Sequence, residues 1–360
     1  DGTKIEANAH KYSFVWKKSV EKNKAKLHQK INTVLSEIGQ AIESDLIHTQ
    51  NQEEITIDSQ KLEEKIQAIN QNTKTAFLSK KQKKTVEKLE KEQLPKLQEY
   101  EKHLENLGDR SSYSKIDTDA TFMRMKEDHM KNGQLKAAYN VQISTENQII
   151  THFSVHQKST DFTTLESHLE GFKNAYDKTS KQIIADAGYG SEENYQMLEQ
   201  QQMEFFIPYN MYRMEQKRKH KNNLFHTQNL YHNIELDFLV CPMGQRMEKI
   251  YTKESKTTTG FLQQHSVYQA QNCQGCPMRG QCFNAKGNRR IEINHNLQRL
   301  KAKARENLEN KEGKEIYAKR CIEPEPVFGN IKQNKHFKRF SLRKLTKINI
   351  EFGLVAIAHN

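Results

Sequence analysis

Proline and glycine are nearly missing from the first quarter of this sequence. No proline precedes Pro95, and the only glycines before it are Gly2 and Gly39. That absence excludes a turn-rich, many-stranded architecture for this stretch, because tight turns draw on those two residues. Long apolar runs are also missing: none approaches the roughly 20 residues that a membrane-spanning helix requires, and no signal-peptide pattern opens the chain. With 35% hydrophobic and 28% charged residues, the composition is that of a polar, soluble protein. Cysteine is scarce and odd in number, at five. Without an export signal, such a count points to the reducing cytoplasm, where thiols bind metal or stay free.

What is present is positive charge. Lys and Arg number 57 against 45 Asp and Glu, a formal net charge of +12. The excess is concentrated near the C-terminus, in "NKHFKRFSLRKLTK". A basic balance of this kind favours a polyanionic partner, most simply nucleic acid.

From about residue 20 to 107 the sequence is rich in Lys, Glu and Gln with helical spacing. One face carries Leu27, Ile31, Val34, Ile38 and Ile42; another carries Val86, Leu89, Leu94, Leu97, Tyr100, Leu104 and Leu107, with Gly108 as the stop. The pattern predicts two or three long amphipathic helices in a hairpin or short coiled coil, a spacer without chemistry of its own. The character changes at residue 109. "AAYNVQISTENQIITHFSVHQ" (137–157) predicts a β-hairpin turning through "STENQ", followed by a helix capped near Ser159 or Asp161. In "KQIIADAGYGSEENYQMLEQ" (181–200), Ile183-Ile184-Ala185 reads as a strand, "DAGYG" as a turn and Ser191 as a helix cap. An acid at the C-terminal end of a strand, before a helix, is where α/β folds place active sites. "MEFFIPYN" is a candidate strand, residues 211–300 read as irregular, and "NLQRLKAKARENLENKEGKEIYAKR" reads as one helix.

That helix leads to "CIEPEPVFGNIKQ" (321–333), where Pro324 and Pro326 bracket Glu325. Pro324 favours an extended residue before it, and Pro326 suits a first helical turn. Glu325 then sits at a helix start, with Lys332 two turns on and roughly on the same face. Asp1, Asp186 and Glu325 lie on separate elements, and three such acids could converge on Mg²⁺, which prefers hard oxygen ligands. Acids alone do not establish this, since the chain has 45 of them.

In order, "DGTKIEANA", "YNVQ…IITHFSV", "ADAGYGSEENYQML" and "EPEPVFGNIKQN" resemble the transposases of bacterial insertion sequences, whose DDE catalytic domain is ribonuclease-H-like. The resemblance spans nearly the whole chain, with 20–107 alike only in character. It is similar to the subgroup with a Tyr-x2-Arg-x3-Glu-x6-Lys signature: Tyr317-x2-Arg320 and Glu325-x6-Lys332 fit, although four residues rather than three separate Arg320 from Glu325. Glu323 is the rival acid, but no Lys lies at its x6 position. The resemblance implies that Asp1, Asp186 and Glu325 bind Mg²⁺ (or Mn²⁺) and catalyse, with Tyr317, Arg320 and Lys332 near the DNA end. Lys338 and Arg339 are expected to meet phosphates, within a basic run that also holds Lys335, Arg343 and Lys344. Asp117 and Asp119 look like a loop, Asp119 being kept as a reserve first acid. Because Asp1 is the first residue, the strand carrying the first acid is expected to be incomplete, and the chain to be a fragment of a longer transposase. The uncapped apolar end "EFGLVAIAHN" agrees with that expectation.

Cys241, Cys273, Cys276 and Cys282 lie between the second and third acids and could form a zinc site, with free thiols or an iron–sulfur cluster as alternatives. Cys321 reads as a structural thiol. The expectation is an α/β, ribonuclease-H-like catalytic core interrupted by a long helical insertion and a Cys-containing insertion. Its divisions are 1–19 (start of the core), 20–108 (helical insertion), 109–210 (core), 211–300 (insertion with the candidate zinc site) and 301–360 (C-terminal core helices). The expected activity is cleavage and joining of DNA at insertion-sequence ends by a homodimer that binds terminal inverted repeats and target DNA. The alternative is an inactive, truncated form that only binds DNA.

Overall fold

The computed structural model describes residues 1–42, 57–72, 80–125 and 133–360, the side chains of 39–42 and 72 excepted. The expected side-chain role of Ile42, and the helical reading of 43–56 and 73–79, lie outside the described residues. The chain is mixed helix and sheet and forms two compact units. One comprises 4–139 and 338–352; the other comprises 1–3, 140–337 and 353–360. Among the described residues no helix is long and apolar enough to cross a membrane.

The unit of 4–139 and 338–352 is dominated by helices Lys17–Ile42, Ser59–Asn72, Lys80–Lys88 and Leu94–Leu107. Leu27, Ile31, Leu35 and Ile38 recur every three or four residues and are buried with Leu62, Ile66, Ile69, Val86, Leu89, Leu94 and Leu97. Each such side chain removed from water contributes on the order of 1.5–3 kcal/mol. The five-residue step from Leu89 to Leu94 breaks α-helical phase. A π-helical turn, Leu89–Gln93, absorbs it: the amide of Leu94 bonds to the carbonyl of Leu89, so both leucines stay on the buried side. Pro95, which lacks an N–H, follows directly. Gly108 at φ +50° ends the last helix. Asp117 and Asp119 hold the start of the helix Leu345–His359: their carboxylates accept the amides of Lys344 (3.1 Å) and Leu345 (2.8 Å).

In the unit of 4–139, Thr121–Arg124 pairs antiparallel with the start of Leu135–Glu146; in the other unit, the rest of that strand pairs antiparallel with Ile149–His156. Asn147 (φ 52°) and Gln148 (φ 64°) make the hairpin turn between the second and last of these. The turn is therefore two residues rather than the five of "STENQ", and the strand runs on through Glu146. Two successive positive φ angles match the twist of paired strands, which explains the tighter connection.

Within the unit of 140–337, Gln182–Ile184 and Glu204–Phe206 pair in parallel. They are joined through the helix Glu192–Gln200, capped by Ser191, whose hydroxyl accepts the amide of Asn194 at 3.2 Å. Leu165, Leu169, Tyr195, Leu198, Phe205, Leu300 and Ala304 form the apolar cluster around this unit's strand–helix–strand. The stretch 211–300, read as irregular from sequence, instead holds a five-stranded antiparallel sheet. Its order is Arg290–Ile293, Leu262–Ala270, Arg246–Lys256, Phe238–Val240, Tyr231–Asn233. Its longest strand, Arg246–Lys256, buries only Met247, so no apolar alternation marked it. The single helix expected after residue 295 is two, His295–Glu309 and Lys311–Lys319. Asn310 breaks it, extended at ψ 163° and capping the second helix through the amide of Gly313 (2.6 Å).

Candidate active site

The three acids singled out in the sequence lie in one unit and are brought to one guanidinium. Asp1 enters through backbone pairing: its α-amino group donates to the carbonyl of Ile143 (3.0 Å) and its carbonyl accepts the amide of Ile143 (2.9 Å), the exchange of an antiparallel pair. Asp186 follows the strand Gln182–Ile184 and caps the 3₁₀ turn Ala187–Tyr189, its Oδ1 accepting the amide of Gly188 at 2.7 Å. A Cβ on Gly188 would fall 2.8 Å from that same oxygen, so the turn needs a residue without one. Glu325 lies in the first turn of the helix Pro324–Gly329. Glu323, before Pro324, sits at φ −97°, ψ −82°, not in the extended form that proline favours.

Arg320 holds the three together. Its Nη2 lies 2.9 Å from Oδ2 of Asp1 and 3.8 Å from Oδ2 of Asp186, and its Nη1 lies 3.4 Å from Oε1 of Glu325. The side chains of Asp1 and Arg320 are 8% and 15% exposed, whereas that of Glu325 is 57% exposed. The residue extra to the Tyr-x2-Arg-x3-Glu spacing falls in or beside a 3₁₀ turn, Arg320–Ile322, and Arg320 reaches Glu325 across it. Tyr317, half-buried one turn before Arg320, has its hydroxyl pKa raised, first by burial.

A second layer, with no motif of its own in the sequence, supports the acids. Asp161 does not cap the helix Leu165–Tyr176; Thr164 stands at that position. Its Oδ1 instead accepts Asn140 Nδ2 (2.8 Å) and Gln142 Nε2 (3.1 Å). Gln142 also accepts the hydroxyl of buried Tyr189, whose pKa is raised by burial and by the nearby Asp161 and Asp186. Asn140 and Gln142 are two residues apart in a strand, hence on one face, which was the signal available in the sequence. Gly2 lets this layer approach: a Cβ there would meet Gln142 Nε2 at 2.2 Å, and Gln142 is held by its other bonds.

The donors fit a hard divalent cation in chemistry. All are carboxylate oxygens, and the three carboxylates outnumber the one guanidinium that faces them. Oδ1 of Asp1 is buried and has no hydrogen-bond partner. Among the described residues, however, no group of three or more His, Cys, Asp or Glu side chains is disposed to hold a metal ion. At the acids, the common point is the Arg320 guanidinium.

The cysteines of the zinc expectation are likewise not found as a ligand set among the described residues. Cys241, Cys273, Cys276 and Cys282 line one cavity of about 20 Å³ but do not assemble as a ligand set. Cys241 and Cys273 pack against Leu230, Leu239, Met247, Tyr268, Ala270 and Ile291. The sulfurs of Cys273 and Cys282 accept the backbone amide of Arg289 (3.4 Å) and its Nη1 (3.0 Å). Cys321 is exposed rather than a buried structural thiol.

The basic residues divide between the two units. Lys332 lies on a π-helical turn, Asn330–Asn334, and is 8% exposed, so it does not share the exposed face of Glu325. In the other unit, Lys338 and Arg339 are exposed; Arg339 donates to the carbonyl of Ala9 (3.2 Å) and lies 4.0 Å from Glu6.

Residues 240–360 match a family model described as Transposase DDE domain. The matched span holds Tyr317, Arg320, Glu325 and Lys332 but neither Asp1 nor Asp186. It supports a DDE transposase. No curated protein and no solved structure matches the chain.

Proposed function

We propose that this protein is a DDE transposase whose ribonuclease-H-like core cleaves and joins phosphodiester bonds at insertion-sequence ends. The observation that carries the reading is the convergence of Asp1, Asp186 and Glu325, from a strand start, a strand end and a helix start, on Arg320. When bound, two Mg²⁺ or Mn²⁺ ions would supply Lewis-acid activation of a water or a 3′-OH and charge stabilisation at the leaving oxygen. Asp1, Asp186 and Glu325 are the residues that would hold them.

The chain's own contribution is positioning. The turn at Gly188 fixes the Asp186 carboxylate, and the Pro324 helix start fixes Glu325. Asp161, Asn140, Gln142 and Tyr189 brace the strand beside Asp1. Tyr317, Lys338 and Arg339 are assigned to DNA, where Lys and Arg neutralise phosphates and make binding salt-dependent. Terminal inverted repeats and target DNA are the proposed substrates, with a homodimer as the active form.

The alternative is a protein that grips DNA without cutting it, favoured by the ion pairs that engage all three acids. A cleavage assay on an end-bearing duplex with Mg²⁺, run beside a gel shift, separates the two. Mg²⁺-dependent strand breaks support the transposase, and a shift without breaks supports the alternative.

A further inference from the structure

Arg320 is placed unlike a DNA contact. Its fork is turned onto the three carboxylates, and its side chain is 15% exposed. Three acids so close together repel one another, and a cation between them relieves this. Resting on the metal-site reading above, we infer that Arg320 is the resident counter-cation of the cluster and competes with a divalent cation for it.

Two observations beyond the ion pairs support competition over coexistence. The side chain of Asp1 is nine-tenths buried, and its Oδ1 has no partner, so a ligand oxygen stands ready beside the one that Arg320 occupies. Arg320 is itself incompletely satisfied: its Nε is buried without a partner. A guanidinium held by Coulomb attraction but short of one hydrogen bond is a replaceable occupant. An ion ligated by Asp1 Oδ2 or Asp186 Oδ2 would lie within a few ångströms of Nη2, where two like charges repel strongly in a poorly solvated site. The guanidinium therefore withdraws when the ion enters. Without the ion it keeps the buried Asp1 carboxylate paired, since a buried acid stripped of its partner is costly.

The test is Mn²⁺ binding to the full chain, read from the electron paramagnetic resonance signal of free Mn²⁺, for wild type, Arg320→Gln, Arg320→Lys and Asp186→Asn. Removing the competing charge is expected to tighten Mn²⁺ binding by about tenfold in Arg320→Gln. Lysine keeps the charge but cannot span three carboxylates, so Arg320→Lys is expected between that variant and wild type. Asp186→Asn is expected to weaken binding. Should Arg320→Gln not fold, Arg320→Lys decides: binding no tighter than wild type overturns competition. Equal or weaker binding by a folded Arg320→Gln also overturns it, while leaving the metal site intact if Asp186→Asn still binds more weakly. Mn²⁺ binding indifferent to Asp186 overturns both.

Discussion

Glu323 and Glu325 stand two residues apart around Pro324, yet their carboxylates serve different partners. Oε2 of Glu323 accepts the amide of Gln148 at 3.0 Å, in the hairpin turn, while Oε1 of Glu325 lies 3.4 Å from Arg320. Glu323 thus ties a turn, and Glu325 joins the acids. Glu323→Ala is expected to cost about 1 kcal/mol of stability, the worth of one hydrogen bond, with DNA cleavage retained. Glu325→Gln is expected to abolish cleavage without lowering the melting temperature. Chemical denaturation and a strand-cleavage assay on both variants check the pair; the reverse assignment would show as cleavage lost with Glu323 alone.

A buried imidazole sets an acid limit on the fold. His168 is 5% exposed, with Nε2 against Ser144 Oγ (2.8 Å) and Nδ1 against Ser154 Oγ (2.7 Å). Burial lowers its pKa from 6.5 to about 2, and that of neighbouring His156 to about 4. A base whose folded pKa lies below its unfolded value supports the fold fully above the unfolded value. That support is lost as pH falls from there towards the folded value. Stability should therefore fall below pH 6.5, by up to about 1.4 kcal/mol per pH unit for each histidine. Urea denaturation at pH 7.5, 6 and 5 measures this, and His168→Gln should flatten the slope.

Behind Asp186 the backbone has no room for a side chain. A Cβ at Gly190 would lie 2.4 Å from the carbonyl oxygen of Pro208 and 2.9 Å from Cα of Tyr209. Both are backbone atoms, so relief requires moving the chain. Gly190→Ala should destabilise the fold by about 1–3 kcal/mol, the usual range for overpacking, and reduce cleavage through a displaced Asp186. Differential scanning calorimetry gives the first quantity. An unchanged transition would mean that the segment yields freely.

Exposed Lys338 is the clearest candidate phosphate contact. If it meets one phosphate, Lys338→Ala should lower the slope of log K against log salt by about 0.9. Lys332, being buried, should instead lose stability when truncated, as a side chain packed in the fold does. Fluorescence anisotropy with labelled duplex across a salt series distinguishes the two, because a purely structural residue leaves the slope unchanged.

Local chemistry was readable in the sequence. Ser191 caps its helix, Gly108 stops another and Asp186 follows a strand because each depends on neighbours a few residues away. The five-residue step between Leu89 and Leu94 carried the π-turn in plain view, but a fixed helical period passes over it. Arg246–Lys256 was invisible because a strand exposed on nearly all sides shows no alternation. The placement of Arg320 among three acids depends on elements hundreds of residues apart in sequence, and no local signal encodes it. Asp161 is ambiguous in sequence for a related reason: a cap position and a site position look alike until the strand bearing Asn140 and Gln142 is set beside it.

Asp186→Asn separates an Asp186 that works in a metal-dependent cleavage centre from one that only caps a turn. Asparagine keeps an oxygen to accept the amide of Gly188, so the turn survives, while the charge facing Arg320 is removed. The measurement is Mg²⁺-dependent strand cleavage of an end-bearing duplex, with binding of the same duplex followed in parallel. Cleavage is expected to fall by at least about a thousandfold, more than about 4 kcal/mol of transition-state stabilisation, with binding within a few-fold of wild type. Cleavage by Asp186→Asn at the wild-type rate would mean that Asp186 takes no part in the chemistry.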